Sequence, residues 1–176
     1  MPTLRQIAQL GHPVLRTLAE SVDLPAGTSL RTFADDLLAT MRDADGVGIA
    51  APQVYESSSL FIVASKPNPR YPDAPEMEPL VVANPEIVWR SDEIVKGWEG
   101  CLSIPGIRGL VPRHQTIRAR YRTLDGQELE TEFAGFIARV FQHEDDHLRG
   151  IVFLDRLESN RDILCEREFR RLDPKS

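Results

Sequence analysis

The sequence predicts an α+β fold, with short antiparallel β-sheets packed around a central helix and further helices near the N- and C-termini. Two helix-period segments, over residues 29–44 and 135–148, flank a region of short β-like runs. One of those runs alternates residue by residue between apolar or small side chains and arginines. The second helical segment carries its apolar residues at steps that put them on a single face.

The first helix is expected over residues 29–44, where Leu30, Phe33, Leu37, Leu38 and Met41 recur at helical spacing and Ser29 is a candidate N-cap. Asp45-Gly46-Val47-Gly48 is a turn that stops it. Leu60–Ala64 is a short strand. Residues 66–79 hold five prolines in fourteen positions, which predicts an extended surface loop. Strands follow at Leu80–Ala83, Ile87–Trp89, Thr116–Arg122 and Glu128–Phe133. In the third of these, Ile117, Ala119 and Tyr121 alternate with Arg118, Arg120 and Arg122, the period of a half-buried strand. The Asp125-Gly126 turn joins it to the fourth as a hairpin. In the helix over 135–148, Phe136, Val140, His143 and His147 share one face. Residues 160–171 are expected to form a third, polar helix, and no repeat or linker divides residues 1–176, which are read as one domain.

The composition is 41% hydrophobic and 27% charged, which suits a globular chain long enough to bury a core. A net charge of −6 argues against nonspecific nucleic-acid binding through a broadly basic surface. No apolar run approaches membrane-spanning length, and residues 1–7 resemble neither a signal nor a transit peptide, so a cytoplasmic, bacterial protein is expected. Two cysteines, Cys101 and Cys165, do not make a disulfide framework; one of them could be a metal ligand or nucleophile.

His143-Glu144-Asp145-Asp146-His147 places two histidines four apart on a helix, so both can ligate one ion with the glutamate beside it. Phe136 and Val140 turn that face toward the core, where buried imidazoles and a carboxylate need partners. A metal supplies them, making the central helix a metal-binding one. A catalytic site needs a third protein ligand and an open position for water. A third histidine six residues past His147 is absent, since Phe153 stands there. Glu166, nineteen residues beyond His147, and Cys101, in Glu99-Gly100-Cys101-Leu102-Ser103, both remain, and spacing does not choose between them.

Gly46-Val47-Gly48-Ile49-Ala50-Ala51-Pro52-Gln53, Glu99-Gly100-Cys101-Leu102-Ser103 and Gln142-His143-Glu144-Asp145-Asp146-His147-Leu148-Arg149-Gly150 resemble, in order and separation, the three signature motifs of peptide deformylases. The resemblance runs to about residue 157; Trp98 and Gly135–Val140 are similar to one branch of the family. It implies removal of the formyl group from the N-terminal formyl-methionine of new polypeptides, releasing formate. It also implies Cys101, His143 and His147 as ligands of one divalent ion, with Fe²⁺ native and Zn²⁺ also suited to the set. Glu144 is then the proton carrier, while the Gln53 amide and the Leu102 backbone N–H stabilise the oxyanion.

The substrate's methionine side chain needs an apolar slot, for which Phe136 and Val140 are candidates with Val47 and Ile49 opposite, although Ile49 suits core packing equally well. The Gly48 backbone is expected to pair with the peptide. Arg108 is placed either on a substrate carbonyl or on the surface, and Glu99 is expected to orient a neighbouring group. His12 and His114 are read as surface residues, and Cys165 as a packing residue of the last helix. Asp145 and Asp146 are read as facing solvent or pairing with arginines. The basic cluster Arg167, Arg170, Arg171 and Lys175 is read first as a solvated helix end and second as a ribosome-docking element.

Overall fold

The computed structural model describes residues 2–172. Helix α1 (Thr28–Asp43) turns Phe33, Leu37 and Met41 inward; Gly27 rather than Ser29 occupies its N-cap, without a side-chain cap. The chain leaves α1 through Asp45 at positive φ and enters strand β1 (Gly48–Ala50), followed by a 3₁₀ turn over Ala51–Val54. Strand β2 (Leu60–Val63) is buried throughout, as its unbroken apolar run requires.

Strand β3 (Leu80–Arg90) joins the two short runs expected over 80–83 and 87–89. Its register shifts near Ala83/Glu86 and Ile87/Trp89, so the β-bulges that interrupt the alternation made one strand read as two. Strands β4 (Ile94–Cys101) and β5 (Ile104–His114) form a hairpin that the sequence reading did not assign. Their glycines and prolines imitate a loop. Pro112 is tolerated because it lies beyond the Ile107–Gly109 stretch where β5 has a second neighbour.

Strands β6 (Thr116–Arg122) and β7 (Glu128–Ala134) form the expected hairpin, with Gly126 at positive φ in its turn. Arg118, Arg120 and Arg122 lie opposite Glu132, Glu130 and Glu128, while Ile117, Ala119 and Tyr121 are buried. After helix α2 (Gly135–Leu148), the expected polar helix over 160–171 divides into a 3₁₀ turn, strand β8 (Ile163–Cys165) and helix α3 (Glu166–Leu172). Cys165 is therefore an exposed strand residue rather than a packed helical one.

The strands make two antiparallel sheets, ordered β1-β2-β3-β6-β7 and β4-β5-β8. Helix α2 packs on the first sheet through Phe141, whose ring meets Phe61 edge-on at 4.9 Å and stacks on Phe133 at 5.1 Å. Ten of its fourteen residues are buried, including every residue from Val140 to Leu148. A helix buried on its polar side must satisfy its charges inside the protein.

Candidate metal centre

Three segments meet beside α2. The first is Val47–Gln53, running from the turn after α1 through β1 into the 3₁₀ turn. The second is the end of β4 with its two-residue turn Leu102-Ser103, set by the pairing of Cys101 with Ile104. The third is the α2 face carrying His143, Glu144 and His147. Among the described residues, Cys101, His143 and His147 bring one ligand atom each to within 4.8 Å of the others, and all three are buried. Cys101 Sγ lies 3.3 Å from His147 Nε2. Donors around one tetrahedral ion with S and N ligands stand about 3.3–3.6 Å apart, so the set fits a single divalent ion.

Glu99 holds His143 Nδ1 at 2.9 Å, which leaves Nε2 of that ring as the donor toward the other two ligands. Arg113 grips Glu99 with two nitrogens, at 2.9 and 3.0 Å, and Arg139 adds a third contact at 2.9 Å. Burial by itself would raise the Glu99 pKa; Arg113 and His143 overcome it and hold the carboxyl well below the usual range. The Cys101 thiol follows the same pattern. Burial opposes its ionisation, yet His147 and His143 bring it well below its ordinary value, so a thiolate is available.

Glu144 is different. Burial, reinforced by the negative charges of Cys101 and Glu99 and opposed by the imidazoles, pushes it up to about 7. Its Oε2, together with His147 Nδ1, finds no hydrogen-bond partner among the described residues. Gly48 makes room for this carboxylate, since a Cβ there would lie 2.5 Å from Glu144 Oε1.

Gln53 is 1% exposed. Its Oε1 accepts from the Ala50 N–H at 2.8 Å, and its Nε2 points to Cys101 Sγ at 3.4 Å and donates to Ser103 Oγ at 3.2 Å. Val47, Gly48, Leu102 and Val140 line a cavity of about 30 Å³ beside the triad, as do Arg70 and Tyr71. The last two come from the proline-rich loop, so this segment is part of the site wall and not only surface. The Tyr71 hydroxyl accepts from the Gly100 N–H at 3.1 Å, one residue before Cys101. No pattern in the sequence pointed to Arg70 or Tyr71.

Other expected site residues lie one layer back. Phe136 packs edge-on against Tyr71 at 5.5 Å, and Ile49 is a fully buried core residue. Arg108 is 1% exposed, so it is not a surface arginine. It pairs bidentately with Glu166 at 2.7 and 3.1 Å, donates to the Arg70 carbonyl at 3.1 Å and lies over the Tyr71 ring. Glu166, engaged there, is not part of the triad. Of the two histidines read as superficial, His12 is exposed, whereas His114 is half-buried and bonded through Nδ1 to the Ser91 carbonyl at 2.7 Å.

Asp145 and Asp146 do not face solvent; both are buried and paired with arginines. Asp145 takes Arg149 at 2.9 Å, and Asp146 takes Arg113 at 2.5 Å and Arg156 at 2.6 Å. These aspartates border a cleft of about 880 Å³ on the other side of α2. It is the larger opening, but its buried charges are paired, so size does not mark the reactive site. In the C-terminal cluster, Arg170 and Arg171 pair with Glu166 and Glu168 of their own helix, and Lys175 lies outside the described residues.

Comparison with known proteins agrees with this geometry. The polypeptide deformylase family model matches residues 4–162. The chain belongs to the peptide deformylase family. Peptide deformylase 2 of a Nostoc species is 54% identical over 99% of this chain and 98% of its own length. Peptide deformylase 2 of Shewanella oneidensis is 51% identical, covering 92% and 89%. Among solved peptide deformylases, the Met-Ala-Ser-bound class I type b protein from Acinetobacter baumannii superposes with a TM-score of 0.87 at 48% identity, covering 89% of this chain and 100% of that one. The Thermotoga maritima protein gives 0.79 at 36% identity, covering 89% and 99%. No helix among the described residues is long and apolar enough to cross a membrane.

Proposed function

We propose that this site binds the N-terminal formyl-methionine of newly made polypeptides and releases the formyl group as formate. The family supplies the reaction, hydrolysis of a linear amide by a metal-dependent enzyme. The observation that carries the site is the convergence of Cys101, His143 and His147 beside a buried glutamate with an oxygen unpartnered among the described residues.

Cys101 as thiolate and the neutral His143 and His147 would hold one divalent ion. Such an ion supplies Lewis acidity that brings loss of a water proton into the neutral range and polarises the formyl oxygen. Glu99 fixes the His143 ring through Nδ1, so Nε2 faces inward without searching. Glu144 takes the proton of the water that adds to the formyl carbon, then delivers it to the amine nitrogen as the C–N bond breaks. Burial raises its pKa above the usual carboxylate range, which strengthens it as a base for that proton. The Gln53 Nε2 and the Leu102 N–H donate to the oxygen that becomes negative.

The Gly48 backbone pairs with the peptide, and Val47 and Val140 flank its first side chain. Phe136 supports that wall through Tyr71, and Arg108 acts on the peptide side through the Arg70–Tyr71 loop. Fe²⁺ is the native ion in this reading, consistent with a soft thiolate ligand and a reducing, bacterial cytoplasm. Ribosome docking through Arg167–Lys175 is a separate reading; unchanged ribosome association after truncation of those residues contradicts it.

The test is formate release from formyl-Met-Ala-Ser by freshly iron-loaded protein, alongside metal content in Cys101→Ala and Glu166→Ala. Release by the parent, with metal lost from Cys101→Ala and kept by Glu166→Ala, supports the reading. Absence of formate, or the reverse metal pattern, overturns it.

A further inference from the structure

The two oxyanion donors lie far apart in sequence, Gln53 on the turn after β1 and Leu102 on the β4–β5 turn. Their relative placement depends on contacts outside the reacting atoms. The Ala50 N–H fixes the Gln53 amide oxygen at 2.8 Å and so turns the amide nitrogen toward the β4–β5 turn. There Ser103 Oγ receives one N–H of that nitrogen, at 3.2 Å. The other N–H is left on the side of Cys101, whose Sγ lies 3.4 Å from Nε2.

Ser103 is itself immobilised. It is fully buried, and its carbonyl accepts from the Leu10 N–H at 2.8 Å. Two residues earlier, the Ala8 N–H donates to the Gln53 carbonyl at 2.8 Å. Residues 8–10 therefore span the two donor-bearing segments and hold them at a fixed separation. In this arrangement the hydroxyl sets how the Gln53 amide is aimed, while the backbone strap sets where it stands.

We propose that Ser103 is a positioning residue for the deformylation reaction: its hydroxyl takes one amide N–H of Gln53 so that the other faces the oxygen that becomes negative. The inference rests on the reading of Gln53 as an oxyanion donor. Removing the hydroxyl leaves the amide held only at its oxygen, by the Ala50 N–H, so its nitrogen end rocks more widely and an interaction realised chiefly in the transition state weakens. The rate constant should fall while substrate binding is spared.

The experiment compares kcat and KM for formyl-Met-Ala-Ser in iron-loaded parent, Ser103→Ala, Gln53→Ala and the double variant, with metal content measured in each. Ser103→Ala is expected to lose about tenfold in kcat, with KM and metal content within about twofold. Ser103→Thr, which keeps the hydroxyl, should recover most of that loss. In the Gln53→Ala background, loss of the hydroxyl should cost nothing further, because the group it aims is gone.

Unchanged kcat in Ser103→Ala, or a repeated tenfold loss in the Gln53→Ala background, overturns the role of Ser103. If Gln53→Ala itself leaves kcat unchanged, the oxyanion reading fails instead. Should the alanine variant not fold, the near-isosteric Ser103→Cys provides the same comparison with a much weaker hydrogen-bond acceptor.

Discussion

The two sides of one helical turn in α2 are built on opposite principles. His143, Glu144 and His147 face the Cys101 side, where Glu144 Oε2 lacks a partner among the described residues. Asp145 and Asp146, from the same five residues, face the other way and each meets at least one guanidinium. Both sides are buried and both carry ionisable groups. What separates them is completeness: the saturated side has its buried carboxylates paired, and on the unsaturated side the proposed ion, water and substrate would complete the set. Arg113 joins the two, since it grips Asp146 on one side and Glu99, the support of His143, on the other.

The strongest way to break this comparison is to remove the ion. Chelation should lower the Tm of the parent, because an ion that binds only the folded state stabilises it. The same treatment should leave the Tm of Cys101→Ala unmoved. A parent melting curve indifferent to chelator would mean that the open side holds no metal.

Next in size is Glu144→Gln. If Glu144 carries the proton as proposed, this change should reduce kcat by about 10²–10⁴-fold. The Tm should not fall, since the substitution removes a buried carboxylate with an oxygen unpartnered among the described residues. Asp146→Asn should do the reverse. It leaves Arg113, which keeps Glu99, and the partly exposed Arg156 with a neutral partner, and urea unfolding should show a loss of about 2–3 kcal/mol. Its kcat should stay within a few-fold of the parent when folded protein is compared.

The smallest effect is expected at Arg149, whose side chain is 47% exposed. Arg149→Ala should cost about 1–2 kcal/mol by urea unfolding, because Arg149 is partly solvated but Asp145 is left buried without its guanidinium, and kcat should not change. A much larger loss would show that the Asp145 pair contributes more than a partly solvated ion pair.

Much of the reactive side was legible in the sequence because it is local. Two histidines four apart define their own shared face, and Phe136 and Val140 orient that face inward. The β6–β7 hairpin was legible for a similar reason, with strict alternation and an Asp-Gly turn. The saturated side was harder to read. Asp145 and Asp146 resemble exposed helix residues until Arg113 on β5 and Arg156 after α2 are brought against Asp146 by the fold.

The β4–β5 hairpin escaped because Gly97, Gly100, Pro105, Gly106, Gly109 and Pro112 lower the strand signal of residues that are nonetheless paired. Arg108 and Glu166 were each assigned another task, and only the packing of β5 against α3 shows that they meet. Tyr71 and Ser103 touch Gly100 and Gln53. Neither contact leaves a periodicity or motif of its own.

The most direct test is a paired measurement of formate release and urea stability in Glu144→Gln and Asp146→Asn, both iron-loaded. The expected result is a dissociation: Glu144→Gln stays folded and loses formate release, whereas Asp146→Asn loses stability and keeps kcat in its folded fraction. The opposite pattern, with Asp146→Asn fully stable but as inactive as Glu144→Gln, would contradict the division of α2 into a reactive side and a structural one.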